Sequence, residues 1–335
     1  MTRAEAPGKV ILLGEHAVVY GRPAIAVPVT QVRACATVAD APAGQGIIIH
    51  AADLGRSHLF GTPIDSADPA FALEATVRHA LDWLGSQLPL DLTLTVCSTV
   101  PIARGLGSGA AVATALVRAL AQHLDRSLTA RQVSDLVYQT EILHHGTPSG
   151  IDNTVIAFEQ PVYFVKGQSI ETLQVGQPLW LVIGDTGIAS PTKVAVRDVR
   201  RAWRKEPGQY EAWFDRIGAM VDSARSALAT GDIPLLGRLM DENQELLENI
   251  EVSSRELDAL IGAARSAGAL GAKLCGAGRG GNMIALVSPR SVQDVADAVR
   301  GAGAVNIVVT EVEESPRSAD GETPHSPPVR DSAPC

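Results

Sequence analysis

Two short apolar runs open the chain: Val10-Ile11-Leu12-Leu13 behind Lys9, closed by Gly14, and residues 23–29 after Gly21. Runs of this length between glycines read as strands. Residues 40–70 are rich in Gly, Ala, Asp and Pro with weak periodicity, which predicts turns and short edge strands. A period of two follows, Leu92, Leu94 and Val96 alternating with Thr93, Thr95 and Cys97, as in a half-buried strand. From Ser108 to Leu124 the period becomes helical, with Ala111, Val112, Ala115, Leu116, Ala119 and Leu120 on one face and Arg118 and Gln122 off it. Thr129 and Gln132 are spaced as a capping box, with Leu128 and Val133 as its hydrophobic staple, so a second helix should run to about His144.

Further along, strands are expected at 162–165 and 179–183, and helices at 209–229 and 233–250. Ser253 and Glu256 should cap another helix that Gly268 ends. Strands at 272–275 and 283–287 flank a glycine loop; a helix entered by Ser288-Pro289 and a last strand at 307–312 complete the pattern. Beyond Glu313 the only large apolar residue is Val329, which predicts a disordered tail over 313–335. Mixed periods without regular βαβ alternation predict an α+β fold in two lobes, residues 1–185 and 186–312.

Composition narrows the function. The chain has 335 residues, 46% apolar and 19% charged, enough for about two domains and too apolar for general disorder. Its net charge of −9 excludes a basic field for nucleic acid or an anionic membrane, so any phosphate site must be local. No apolar stretch reaches the 18 or so residues of a span and the start lacks a signal-peptide core, so a cytoplasmic protein is expected. Cys35, Cys97, Cys275 and Cys335 lack C-x-x-C spacing and suit reduced thiols; a metal would be held by oxygens.

Four segments can carry chemistry. Arg104-Gly105-Leu106-Gly107-Ser108-Gly109-Ala110 is a glycine turn feeding a helix start, which reads either as the construction of a phosphate cradle or as a tight loop that needs glycine for packing. Gly105, Gly107 and Ala110 also fit the loose dinucleotide fingerprint, but Pro101 to Arg104 separate them from the preceding strand, which that fingerprint does not allow. Glu141, in the last turns of a helix, and Asp152, on a Gly/Pro-constrained loop with Ser149, are two carboxylates able to converge. The first suits magnesium and the second a hydroxyl proton, although taken alone Glu141 reads as a solvated helix residue and Asp152 as a turn cap with Asn153. Gly276-Ala277-Gly278-Arg279-Gly280-Gly281 lies between strands and offers either a linker or a backbone surface for a ligand. Pro7-Gly8-Lys9 and Gly14-Glu15-His16 bracket the first strand.

Taken together, Pro7-Gly8-Lys9 with Gly14-Glu15-His16, Gly105-Leu106-Gly107-Ser108, and Gly276-Ala277-Gly278-x-Gly280-Gly281 resemble the three signature motifs of the GHMP small-molecule kinases, over residues 7 to about 312. Residues 8–21 and 145–153 look most like the members that act on mevalonate. The resemblance implies an N-terminal lobe like a ribosomal-protein domain, a ferredoxin-like C-terminal lobe and a cleft between them. It implies ATP phosphates on Arg104 to Ala110, Mg²⁺ on Glu141 with Ser108, and Asp152 and Lys9 as the catalytic pair. Lys9, Glu15, His16, Ser149, Asp152, Gly276, Ala277 and Gly278 would hold a small-molecule substrate, mevalonate, whose C5 hydroxyl takes the phosphoryl group. Neither nucleic acid nor a membrane is an implied partner, and a homodimer is left open. Three departures stand out: Gly109 where a second hydroxyl residue is common, Arg279 in place of glycine, and Ser190 in place of an arginine.

Overall fold

In the computed structural model residues 1–65, 68–86, 88–102, 104–145, 148–190 and 192–315 are described. The first strand, β1 (Thr2–Leu13), extends well ahead of its apolar run because Ala4 and Ala6 turn inward between exposed or half-exposed Arg3 and Glu5. β2 (Ala24–Asp40) is equally overlong. It survives Pro28 because the β1–β2 register slips at Pro7/Gly8, a bulge beyond which Ala34, Ala36 and Val38 resume the buried alternation. The expected edge strands are β3 (Ile47–Ala51) and β4 (Arg56–Leu59), and β5 (Leu92–Ser98) is the predicted alternating strand. With β6 (Val162–Phe164) and β7 (Glu171–Thr172) they form one sheet in the order β4-β3-β5-β2-β6-β7, β1 pairing with β2 off that path; β3–β5 alone among its pairs is parallel.

The helices of this half are α1 (Pro69–Leu84), α2 (Ser108–His123), α3 (Ala130–His145) and α4 (Ile151–Phe158). The alanine-rich face of α2 lies on β1 and β2, with Ala111, Ala115, Leu116, Ala119 and Leu120 fully buried. Small side chains let the helix approach the sheet closely. The capping box holds: Thr129 N donates to Gln132 Oε1 (2.9 Å) and Gln132 N to Thr129 Oγ1 (3.3 Å).

A second, antiparallel sheet is ordered β11-β8-β10-β9, from β8 (Leu179–Asp185), β9 (Gly271–Cys275), β10 (Asn282–Val287) and β11 (Asn306–Val312). The sheets therefore divide ahead of Leu179, and a lobe boundary after 185 leaves β8 on the wrong side. Helices α5 (Thr192–Lys205), α6 (Pro207–Thr230), α7 (Ile233–Asn249), α8 (Arg255–Ser266) and α9 (Val292–Gly301) belong to this half.

Several details correct the sequence reading. Ser254, not Ser253, caps α8 by accepting from Leu257 N at 3.3 Å, while Ser253 Oγ donates to Asp258 at 2.5 Å. α9 starts three residues beyond Ser288-Pro289, because Ser288 and Ser291 bond each other across the entering turn. Ser315 is tied to Val175 by two backbone-directed bonds, so chain order persists past Glu313; residues 316–335 of the expected tail lie outside the described residues. No described helix is long and apolar enough to cross a membrane.

Candidate active site

α2 starts from a bare backbone. Its N-cap is Gly107, at φ +76°, and no side chain caps the first turn, so the N–H groups there and the positive end of the helix dipole are open to an anion. They face a cavity of about 620 Å³ whose wall includes Gly105, Gly107, Ser108, Gly109 and Ala110. Glycine is required at 107 twice over. The conformation is left-handed, and a Cβ there would lie 2.8 Å from Ile156 Cδ1 and 3.0 Å from Lys9 Cγ. The turn is thus seated on the lysine, and Lys9 N donates to Leu106 O at 3.0 Å.

Lys9 is 3% exposed, and its Nζ stands 2.8 Å from Asp152 Oδ1. Asp152 is not on a loop as expected: it is the second residue of α4, whose entry at Gly150 requires φ +96°. Glu141 enters from α3, 4% exposed. Burial, and then the Asp152 charge, push its carboxyl up to about 7 against the opposing pull of Lys9. The three side chains named as the reacting group are therefore electrostatic neighbours. Glu141 and Asp152 line both the 620 Å³ cavity and a second one of about 310 Å³, and Lys9 lines the smaller.

The smaller cavity also holds Glu15, His16, Ser149, Gly276 and Ala277. His16, itself at φ +60°, makes a ring-nitrogen hydrogen bond with Ala277 O at 3.1 Å, and burial pushes its imidazole down to about 4. It is a neutral ring. Glu15 is paired with Lys273 of β9, both completely buried, and Lys273 Nζ also donates to Leu274 O at 2.7 Å. Burial raises the Glu15 carboxyl while Lys273 holds it down, and Glu15 Oε2 has no hydrogen-bond partner among the described residues.

Three predicted contacts lie outside both walls. Leu106 is a core residue, 2% exposed, that offers only its carbonyl to Lys9. Arg104 pairs with Asp185 at 3.3 Å and its carbonyl accepts from Asn282 Nδ2 at 2.5 Å. Gly278 is pressed onto Val252, where a Cβ would lie 2.0 Å from the carbonyl oxygen. Arg279 points away from the phosphate turn, to Asp198 at 2.8 Å and Glu251 O at 3.3 Å. Ser190 spends its hydroxyl on Gly278 O at 2.5 Å. A Cβ at Gly109 would meet Glu141 Oε1 at 3.5 Å, so this position directly faces the buried carboxyl.

Sequence reasoning missed Lys273, although a lysine between Ala272 and Leu274 in an apolar strand already demanded a buried partner. Thr192 and Lys193 of α5 also reach both cavities. The two cavities share Gly105, Glu141, Asp152, Thr192 and Lys193, so occupants of the two would face each other across these residues. An arrangement of this kind suits group transfer between a phosphate-bearing donor and a smaller acceptor.

Comparison with known proteins agrees. Residues 72–160 match the GHMP kinases N terminal domain and residues 224–305 the GHMP kinases C terminal domain. The mevalonate kinase of Pyrococcus abyssi is 35% identical, covering 91% of this chain and 94% of its own; that of Thermococcus sibiricus is 37% identical with the same coverages. The crystal structure of L. major mevalonate kinase in complex with R-mevalonate superposes with a TM-score of 0.80 at 29% identity, covering 94% of this chain and 97% of that one. The chain belongs to the GHMP kinase family and, within it, groups with the mevalonate kinases.

Proposed function

We propose that this chain transfers the γ-phosphoryl group of ATP to the C5 hydroxyl of (R)-mevalonate, giving 5-phosphomevalonate and ADP. The observation that carries the reading is the meeting of the two cavities at Asp152 and Glu141, with Lys9 paired to Asp152. In the larger cavity the triphosphate lies along Gly105 to Ala110, omitting Leu106, and the apolar end formed by Leu54, Leu73, Ile102 and Val112 receives the base. In the smaller one the substrate lies against Glu15, His16, Ser149 and Ala277.

Asp152 accepts the hydrogen bond of the C5 hydroxyl and aims its oxygen at the γ-phosphorus. The new O–P bond forms as the bond to the β-phosphate bridging oxygen breaks and the hydroxyl proton passes to the Asp152 carboxylate, with no phosphoenzyme between. Lys9 stays on the Asp152 carboxylate and adds positive charge beside the transferring group, where burial strengthens it. Catalysis of this kind is alignment and charge neutralisation rather than covalent help.

The donor set fits magnesium. Glu141 is a buried carboxyl raised by its neighbour Asp152, and a divalent cation would relieve that repulsion. Magnesium takes one or two carboxylates and otherwise phosphate and water, so a single buried carboxylate beside the helix start suffices. Glu141, with Ser108 or water on the Gly109 side, would hold it. When bound, it supplies charge neutralisation on the β- and γ-phosphates.

The test is ATP turnover with Mg²⁺ on mevalonate, phosphomevalonate, galactose and homoserine, the product identified by phosphorus NMR. Preference for mevalonate is expected. Preference for any other member of the panel, or no turnover, overturns the reading.

A further inference from the structure

β2 and β5 run antiparallel, and their register sets Cys35 directly opposite Cys97. Thr99 N donates to Arg33 O at 2.9 Å, so residues 33 and 99, one step beyond the Ala34–Ser98 pair, are hydrogen-bonded partners. Two residues along each strand the same kind of pair recurs at Cys35 and Cys97, with both side chains on one face of the sheet. Opposed residues of this kind stand about 5.5 Å apart at Cα, within the span that a disulfide bridges. The face they share is the outer one. Thr37 opposite Thr95 and Ala39 opposite Thr93 are half-buried on it, whereas Ala36, Val38, Leu94 and Val96 turn to the core.

The two thiols differ in surroundings. Cys97 is half-buried and lines the larger cavity beside Ser98, whose N donates to Asp53 Oδ2 at 2.5 Å on the same wall. Cys35 is buried, with the Arg3 guanidinium beside its sulfur. An arginine next to a thiol favours the thiolate, the form that attacks a disulfide. Glu5, opposite Cys35 on β1, is engaged by Arg3 at 2.7 Å and by Arg33 at 3.7 Å. Cys275 is of another kind: it is buried, and burial pushes its thiol up to about 11.

We propose that Cys35 and Cys97 form a reversible cross-strand disulfide that weakens nucleotide binding in the larger cavity. The oxidant is a small-molecule disulfide. The Cys97 thiolate, reached through the cavity, attacks one of its sulfurs, so that a mixed disulfide forms and one thiolate leaves. The Cys35 thiolate then attacks the Cys97 sulfur and the second thiolate leaves. Both leaving thiolates take up the protons that the cysteines released, so the protein loses two electrons and two protons and the oxidant becomes two thiols. Closing the bond draws the Cys97 sulfur toward β2, away from the cavity wall, and disturbs the Ser98–Asp53 contact next to it. The effect on ATP rests on the function proposed above; the thiol chemistry does not.

The test uses the full chain carrying Cys335→Ser, so that the tail thiol takes no part. Oxidised glutathione, followed by intact-mass measurement and peptide mapping, should give a loss of two hydrogens and a cross-linked Cys35–Cys97 peptide. The KM for ATP should rise about fivefold, the worth of about one hydrogen bond, while the KM for mevalonate stays within about twofold. Dithiothreitol should reverse both the mass change and the KM change. Adding Cys35→Ser should leave the reduced kinetics unaltered, and oxidation should then stop at a glutathionyl group on Cys97, because no second thiol resolves it. A glutathionyl adduct that persists while Cys35 is present, a cross-link to Cys275, or no reaction at all overturns the proposal. So does a Cys35–Cys97 bond that leaves the KM for ATP unchanged. Absence of turnover in the reduced wild type would instead refute the underlying function and leave the mass result standing.

Discussion

Replacing Lys273 by Met removes the ammonium bonded to Glu15 while keeping the approximate shape of the side chain. Both partners are fully buried, so the remaining carboxylate is left without its counter-charge in the interior. Breaking a buried pair from one side costs about 3–5 kcal/mol. With an unfolding entropy of about 2.1 cal/mol/K per residue, that lowers Tm by roughly 4 to 7 °C for this length. The loss should depend on pH. Burial already raises the Glu15 carboxyl, and without Lys273 it rises further, so the folded state holds a proton that the unfolded state has released. Stability of the variant is then best below about pH 4.5, the unmodified value, and declines as pH climbs through the folded value. Urea unfolding at pH 5.5 and pH 8 reads this directly, and the gap to wild type should widen at pH 8. Adding Glu15→Gln should restore most of the stability, to within about 2 kcal/mol of wild type, because no charge is left stranded. The double variant should nonetheless bind mevalonate poorly and ATP normally, since Glu15 lines only the smaller cavity. A Lys273→Met protein as stable as wild type at pH 8, or one that Glu15→Gln fails to rescue, refutes the reasoning.

Asp152→Asn should lower kcat on the order of a hundredfold with little change in ATP affinity, because it removes the group on the reacting hydroxyl; unaltered kcat in a coupled ADP assay would exclude it from the mechanism. Gly107→Ala should cost about tenfold to a hundredfold in kcat, since the new Cβ forces Ile156 or Lys9 to shift and strains a φ of +76°; wild-type rates would mean that the turn relaxes freely. For His16, burial lowers the folded value to about 4, so the unfolded chain takes up the proton first as pH falls. Its contribution is intact above about pH 6.5 and is lost between there and pH 4, about 2 kcal/mol being gone by pH 5. His16→Gln should flatten that part of the stability–pH curve in paired urea titrations.

Elements whose side chains repeat strongly could be read from the sequence: the alternation of β5, the alanine face of α2 and the capping box of α3 all stand where expected. α1 and α5 were passed over because their periodicity is diluted, by small residues in one and by charge in the other. Yet Asp68 before Pro69 is a sound start signal, and Asp68 Oδ1 accepts from Ala70 N at 2.9 Å. The Gly, Pro and Ser ahead of α4 read as a loop in the sequence, yet Gly150 among them is the N-cap from which the helix starts. The same split holds in the site. Lys9, Glu15, His16, Glu141, Ser149 and Asp152 were nameable because motifs mark them, and they do converge. Arg104, Leu106 and Gly278 sit within motifs yet lie outside both walls, Arg104 paired with Asp185, Leu106 in the core and Gly278 pressed onto Val252, a distinction invisible in a string of residues.

What joins the two halves at the site is the contact of one glycine turn with another. A Cβ on Gly105 would come within 3.7 Å of Cys275 O, and one on Gly276 within 3.9 Å of Gly105 Cα; Asn282 of β10 fastens Arg104 O from the same side. Bare backbones are thus stacked edge to edge between a sheet of each half, and Gly105 belongs to both cavity walls while Gly276 belongs to the smaller. The glycines at this junction serve proximity more than flexibility. The glycine turn at 105 can only border both cavities if nothing thicker than a peptide plane separates it from Gly276, and that geometric demand is what brings two motifs about 170 residues apart to one place.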